Sequence, residues 1–384
     1  MSQRVVVTGI GLIAPLNPFQ VINEFWDSLC KGKDAIKKES LPMLKIDREW
    51  LMAAIDIPDM KTEHKLLHIA EEAFLMAIKD AGIDDCADAG ISLGTVLGNV
   101  LLKERRLMQK RGYGEEESLS HINSYLSGKY GLGGRGITVS TACASGTDAI
   151  GIAARKIISG AADVMIAGGV DVLSDFAILG FNALQALTEE KVRPFDKNRS
   201  GLALGEGAAF IVLESEEHAA LRGPRIYGEV KGYASRADAN HLTGPHREGR
   251  GLSEAISCAM SEGKLKPEDI NYINAHGTGT VYNDLMETKA IKKVFGRRAY
   301  NIPISSTKSM LGHSFGAAGV IEAVCCLLAI NTKTIPPTIN YGERDPECDL
   351  DYVPNTSRKH EVRTAISLSA GFGGQNSALI LGAI

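Results

Sequence analysis

The chain has 384 residues, 44% apolar and 23% charged, a balance that supports a large buried core and argues against a disordered or fibrous polypeptide. Its formal net charge is −4, with both signs spread along the whole length, which gives no footing for a nucleic-acid binder. Seven scattered cysteines without a CxxC pair argue against a disulfide framework or a structural zinc site and favour a reducing compartment, the cytoplasm.

The run Val5-Val6-Val7-Thr8-Gly9 is rich in β-branched residues and stops before Pro15, so it reads as a first strand and not as a signal peptide. Asn17-Pro18 is expected to open a helix whose Phe19, Ile22, Phe25, Trp26 and Leu29 share one face. A long helix is expected over 63–81 and a strand over 93–97, followed by a strand at 137–140 and a helix at 144–158. Strands at 164–167 and 208–213 close a first half, and the charged stretch 214–225 leads into a second. There the expected strands lie at 226–233, 272–275, 302–305, 364–368 and 378–381. The longest apolar helical stretch, 320–330, is taken as too short for a bilayer and contains Glu322, so no membrane span is expected. The alternation points to an α/β fold with buried, mostly parallel sheets.

Two internal echoes suggest duplication. Residues 204–213 resemble 370–381, each a glycine turn feeding an apolar strand. The strand and helix around Cys143 resemble those around His313. Two halves, 1–223 and 224–384, with a site between them, are therefore expected. The letters Gly9-Ile10-Gly11-Leu12-Ile13-Ala14 fit a dinucleotide fingerprint, but Pro15 separates them from the next helix; Gly131 to Gly136 precedes a strand instead of following one. Both are read as turns, and no cofactor is expected.

Four motifs carry chemistry. In Val139-Ser140-Thr141-Ala142-Cys143-Ala144-Ser145-Gly146-Thr147 a strand enters a turn of small residues, and Cys143 stands where a helix begins. A helix N-terminus there is expected to lower the thiol pKa, and the Cys143 N–H is one donor for an oxyanion. A buried structural cysteine is the bland alternative, to which the other six are assigned. In Asn274-Ala275-His276-Gly277-Thr278-Gly279-Thr280, His276 leaves a strand end with glycines and hydroxyls after it. In the segment from Ser305 to Gly319, Lys308 and His313 precede a small-residue helix start, and Glu322 inside the following apolar helix needs a partner, for which Lys308 is the candidate. Gly371-Phe372-Gly373-Gly374 can present a backbone N–H and a mobile aromatic ring.

Together these motifs resemble the type I/II branch of the β-ketoacyl-acyl-carrier-protein synthases, in the thiolase superfamily, along essentially the full chain; Arg193-Pro194-Phe195-Asp196 and Gly205-Glu206-Gly207 are further matches. The resemblance implies a thiolase-like five-layered αβαβα fold, a dimer, and decarboxylative Claisen condensation of an acyl chain on Cys143 with a malonyl carrier. It implies Cys143, His276 and His313 as the catalytic set. His313 disfavours the type III branch, which has Asn there, and Cys143 disfavours a dead chain-length-factor subunit. By the same resemblance the N–H groups of Cys143 and Phe372 hold the oxyanion, Thr278 and Thr280 contact the pantetheine arm, Gly371 and Gly373 shape the substrate turn, and Phe372 gates. Lys308, Glu322 and Asp284 form the supporting polar shell. No metal is required. The implied partners are acyl carrier protein and either a second copy or a chain-length-factor-like subunit.

Departures narrow the substrate. The stretch from Asn99 to Arg106 is shorter than in housekeeping relatives, and Gln375 stands where Thr is common. A specialised polyketide or polyene ketosynthase is therefore expected ahead of a housekeeping fatty-acid synthase, with a thiolase or non-catalytic subunit as rivals. Lys61, Lys65, Lys103, Arg105 and Arg106 are candidate contacts for an acidic carrier, though a solvated helix face is the simpler reading of each.

Overall fold

In the computed structural model, which describes residues 3–16, 18–19, 21–134 and 136–384, the N-terminal apolar run forms strand β1 (Val5–Ile13), buried throughout. Helix α1 (Ile22–Cys30) starts later than expected. Phe19 has φ +62° and is exposed, so it stays off the face made by Phe25, Trp26 and Leu29; Asn17 lies outside the described residues. There follow β2 (Lys37–Glu39), β3 (Trp50–Ala53), α2 (Lys65–Ala81), β4 (Gly90–Gly94), α3 (Val100–Met108) and α4 (His121–Tyr130). Next come β5 (Ile137–Val139), α5 (Ser145–Ile158), β6 (Val164–Asp171), α6 (Asp175–Ala183), β7 (Leu204–Gly205), β8 (Gly207–Ser215) and α7 (Glu216–Arg222). The rest contains β9 (Gly228–Ala237), α8 (Arg250–Glu262), β10 (Tyr272–Asn274), α9 (Val281–Phe295), β11 (Ile304–Ser305), α10 (Lys308–Leu311) and α11 (Ala318–Thr332). Strands β12 (Thr334–Ile335), β13 (Arg358–Lys359), β14 (Thr364–Gly371) and β15 (Gln375–Gly382) end the chain.

Ten strands form one sheet in the order β11-β10-β14-β15-β9-β1-β8-β6-β4-β5. Outward from the β1–β9 junction, β1-β8-β6-β4-β5 on one side matches β9-β15-β14-β10-β11 on the other. On each side the two inner pairings are antiparallel and the two outer ones parallel. The sheet is thus mixed, where a mostly parallel one was expected. Connection length decides this: the short turn between β14 and β15 permits only an antiparallel return, whereas α9 carries the chain over from β10 to a parallel β11.

Helices α5 and α11 pack on each other and on strands from both sides, while α2 covers β1, β8 and β6, and α8 covers β9 and β15. The layers run α–β–α–β–α. Sandwiched between two sheet faces, α11 is apolar all round, and every residue from Ala318 to Ile330 is buried. With the turn before it, the apolar segment Phe315–Thr332 reaches 18 residues, long enough for a bilayer. Burial in the core, not shortness, identifies it as an interior helix.

Gly9 and Gly11 lie within β1 and not in a turn. A Cβ on Gly9 would stand 2.4 Å from the Ala77 carbonyl oxygen, and one on Gly11 would stand 1.9 Å from that of Ala73. The fingerprint letters let α2 lie directly on the strand. The second glycine cluster does turn the chain, with Gly131 at φ +66° ending α4; Arg135 lies outside the described residues.

Candidate active site

The turn between β5 and α5 is held by the Ser145 hydroxyl, which donates to the Ala142 carbonyl at 2.5 Å and accepts from the Thr141 N–H at 2.9 Å. Ala142 sits at φ +51°, a region most residues with a Cβ avoid. This elbow delivers Cys143 to the floor of a cavity of about 390 Å³. The turn that joins β14 to β15 closes over it. The N–H groups of Phe372 and of Cys143 itself both reach the sulfur. A Cβ on Gly371 would lie 3.0 Å from the Cys143 nitrogen, so glycine is what allows so close an approach.

His276 follows β10. Its N–H and that of Gly277 donate to the Glu287 carboxylate at 2.6 and 2.8 Å, and the Ser306 hydroxyl holds the Gly277 carbonyl at 2.6 Å. His313 is fixed by its own backbone, its N–H donating to Ala203 and its carbonyl accepting from Gly205. The His313 Nε2 lies 2.9 Å from Cys143 Sγ, and the two imidazoles stand at 5.3 Å and 89°. One nitrogen of each ring and the sulfur all fall within 4.8 Å of one another, and all three side chains are buried. The Nδ1 of each ring makes no hydrogen bond among the described residues. Lys308 and Glu322 form a buried ion pair beside them.

Burial pushes both imidazoles well below their ordinary pKa; the Lys308 charge adds to this for each, and His313 does so for His276. Both rings are neutral at physiological pH. Burial also pushes the Cys143 thiol up to about 11, against the pull of the Lys308 charge and the Phe372 and Cys143 N–H groups. The lowered thiol expected from the helix N-terminus is overturned: desolvation outweighs the terminus. The sulfur is a thiol beside a neutral imidazole. The Glu322 carboxyl is raised to about 7 by burial, with Lys308 opposing.

The cavity is lined by Thr278, Thr280, His276, His313, Gly371 and Phe372, among others, and the Thr278 and Thr280 hydroxyls meet at 2.9 Å. Gly373 sits at φ +80°, and its N–H donates to the Leu242 carbonyl at 2.7 Å. Phe372 stacks on Phe181 at 5.3 Å and 16°, and Phe181 meets Phe315, which lies against His313. A larger cleft, about 620 Å³, surrounds Lys65 and Glu206 and contains none of these residues. We take the smaller one as the site because Cys143 and both imidazoles open into it.

Among the described residues, the hydrogen bonds of Asp284 go to the loop and not to His276. The buried Asp284 carboxyl accepts from the Phe195 N–H at 2.7 Å and from the Gly279 N–H at 3.3 Å, so it secures the loop behind Thr278. Glu287, three residues on and on the same face of α9, supports His276 instead, and sequence reasoning missed it. Burial raises its carboxyl to about 8, with the two N–H groups opposing. Asp171 was also missed. It accepts from Thr95, Val96, Leu97 and Gly316, tying the loop after β4 to the turn that follows His313. Of the five basic residues singled out, Lys65 pairs with Glu206, Arg105 with Glu63, and Arg106 with Glu116 and Glu117. Those three are engaged by the chain's own carboxylates.

The sulfur and imidazole nitrogens are near enough to hold a metal ion. The Lys308 ammonium acts on all three groups, however, and a second cation beside it is disfavoured.

Residues 52–219 match the family model for the N-terminal domain of beta-ketoacyl synthase, and residues 227–342 match that for its C-terminal domain. The ketoacyl synthase alpha subunit of the tetracenomycin polyketide synthase of Streptomyces glaucescens is 38% identical, over 99% of this chain and 97% of that one. The 3-oxoacyl-[acyl-carrier-protein] synthase 2 of Synechocystis sp. is 38% identical, over 98% and 97%. A solved ketosynthase, bound to a hexaketide and in complex with its type II polyketide acyl-carrier protein, superposes with a TM-score of 0.92 at 34% identity, covering 100% of both chains.

Proposed function

The chain belongs to the β-ketoacyl synthase family, and from that premise we propose how its residues divide the work of decarboxylative condensation. Cys143 attacks an acyl thioester; its proton passes to His313 Nε2, and the oxyanion is met by the N–H groups of Cys143 and Phe372. Collapse expels the carrier thiol, which takes that proton and leaves the acyl group on sulfur. A malonyl thioester then enters past Thr278 and Thr280. Its carboxylate leaves as carbon dioxide while the two imidazoles donate to the thioester oxygen as enolate charge grows. The carbanion attacks the acyl carbonyl, the carbon–sulfur bond breaks, the Cys143 thiolate so released takes a proton from solvent, and the β-ketoacyl product departs on its carrier. Lys308 and Glu322 keep the pocket's charge fixed, Asp284 and Glu287 hold the loops, and Gly371, Gly373 and Phe372 form the movable wall.

The single observation that carries this reading is the convergence of one sulfur and two imidazoles, one of them 2.9 Å from that sulfur, in a cavity reached past hydroxyls. Neutral imidazoles suit both steps, because only a neutral ring can accept the Cys143 proton, and each neutral ring still carries one N–H to donate. Acyl and malonyl carriers supplied to the protein are expected to give carbon dioxide, a β-ketoacyl carrier and acylated Cys143 by mass spectrometry. A Cys143→Ala variant that is still fully acylated would transfer the role to another side chain. Activity with acetyl-coenzyme A alone would favour a thiolase, and silence with every carrier a non-catalytic subunit.

For the pathway we propose specialised polyketide or polyene synthesis in the cytoplasm, with an acyl carrier protein delivering substrate and a chain-length-factor-like subunit as partner. The likeness to a polyketide alpha subunit and the short segment before Cys143 support it. A homodimer that elongates ordinary fatty acyl carriers unaided would return the chain to housekeeping synthesis.

A further inference from the structure

The first turn of the nucleophile's helix is tied to both strands that flank the Gly371–Gly374 turn. Thr147 Oγ1 meets Ser369 Oγ at 2.8 Å, on β14 just before the turn. One residue on, Asp148 accepts from Ser377 on β15, just after it. Both Thr147 and Asp148 are buried. The other Asp148 oxygen accepts from the Thr141 hydroxyl at 2.6 Å, inside the elbow, and the Tyr233 hydroxyl on β9 donates at 2.9 Å to the same Asp148 oxygen that accepts from Ser377. Three hydroxyl donors from three separate segments therefore converge on one carboxylate, and none belongs to the cavity lining.

Such a group is costly to bury, and its full set of donors offsets that cost only in one arrangement of the elbow and the two strands. The two N–H groups aimed at the sulfur come from those same parts: Cys143 from the elbow and Phe372 from the turn between β14 and β15. We infer that Asp148, with Thr147, is a positioning residue that sets the spacing between the two oxyanion donors by clasping both ends of the Phe372 turn to the base of α5. The inference rests on the reading of Cys143 as the acylated nucleophile. His276 and His313 hang from β10, Ala203 and Gly205, outside this clasp, so the decarboxylation step has independent support.

The test separates two half-reactions. Single-turnover acylation of Cys143 from an acyl carrier is followed by mass spectrometry, and carbon dioxide release from malonyl carrier is followed without acyl donor. Asp148→Asn is expected to slow acylation on the order of tenfold to a hundredfold, the scale of a misplaced donor. Decarboxylation should stay within about twofold of wild type. Ser377→Ala removes one donor from a strand and disturbs folding least; it should show a smaller loss confined to acylation. Equal acylation in both variants and wild type overturns the inference, as does a parallel fall of both half-reactions with a lowered melting temperature. Failure of the wild-type protein itself to become acylated would instead remove the nucleophile assignment on which the inference stands.

Discussion

Replacing Lys308 by Met removes the ammonium from a pair in which both side chains are almost wholly buried, 3% and 2% exposed. The Glu322 carboxyl is left inside α11, where its second oxygen has no hydrogen-bond partner among the described residues and its helix neighbours from Ala318 to Ile330 are buried. Breaking one end of such a pair costs about 3–5 kcal/mol, because the carboxyl left behind, raised further without Lys308, must stay charged uncompensated or take up a proton to remain buried. With an m-value on the order of 3–4 kcal/mol/M for a chain this long, the urea midpoint should fall by about 1 M. The companion Lys308→Met/Glu322→Leu removes both charges and fills the space with apolar atoms, and it should recover stability to within about 1 kcal/mol of wild type. Its activity should not recover. The imidazoles lose the positive neighbour that helps hold them neutral, and Cys143 loses the charge that pulls its thiol down. Urea titration by circular dichroism and carbon dioxide release from malonyl carrier measure the two effects. A single variant as stable as wild type, or a double variant as unstable as the single, refutes the account of the pair. A double variant with full activity refutes the electrostatic role.

Acidification should act through the imidazoles with a defined sign. Their folded pKa values lie below the unfolded value, so below about pH 6.5 the unfolded chain binds more protons and stability falls as pH drops. The raised Asp171, Asp284, Glu287 and Glu322 carboxyls act oppositely, so the imidazole share is read as wild type minus His276→Gln/His313→Gln in urea titrations from pH 5 to 8; a difference independent of pH would contradict the shifts. Gly371→Ala meets no backbone strain at φ −112° but brings a Cβ to 3.0 Å from the Cys143 nitrogen. It should slow acylation about tenfold with an unchanged melting curve; an unchanged rate would mean the turn yields freely. Gly11→Ala should destabilise by about 3 kcal/mol or more, because α2 must lift off β1. Normal melting of that variant would show the helix approach to be adjustable.

The elbow at Cys143 was legible because its surroundings are local: one strand end, small residues and a helix start occupy a few consecutive positions. The same holds for His276 and His313, each at a strand terminus. The Lys308–Glu322 pair was legible because a carboxylate in an apolar helix demands a partner nearby. Glu287 was not, since its contact with His276 appears only after α9 folds back over β10. Its spacing from Asp284, one turn along the same face, is the signal that was available. The thiol's raised pKa was equally hidden: the helix terminus is written in the sequence, but the depth of burial is set by the other half of the chain. Gly9 and Gly11 misled for a related reason, as the demand for glycine came from α2, some sixty residues away.

The two middle-layer helices have a consequence for how the protein comes into being. Helix α5 belongs to the earlier half and α11 to the later, and each finds part of its cover on strands translated in the other. A nascent chain released after α7 carries an α5 with one bare side, and a separately made C-terminal piece carries a greasy α11 that resembles a membrane anchor. Neither piece is therefore a self-sufficient product, and a ribosome that stalls between them leaves a fragment suited to chaperones or proteases. The cavity around Cys143 and the two imidazoles draws its lining from both pieces and is complete only when they close.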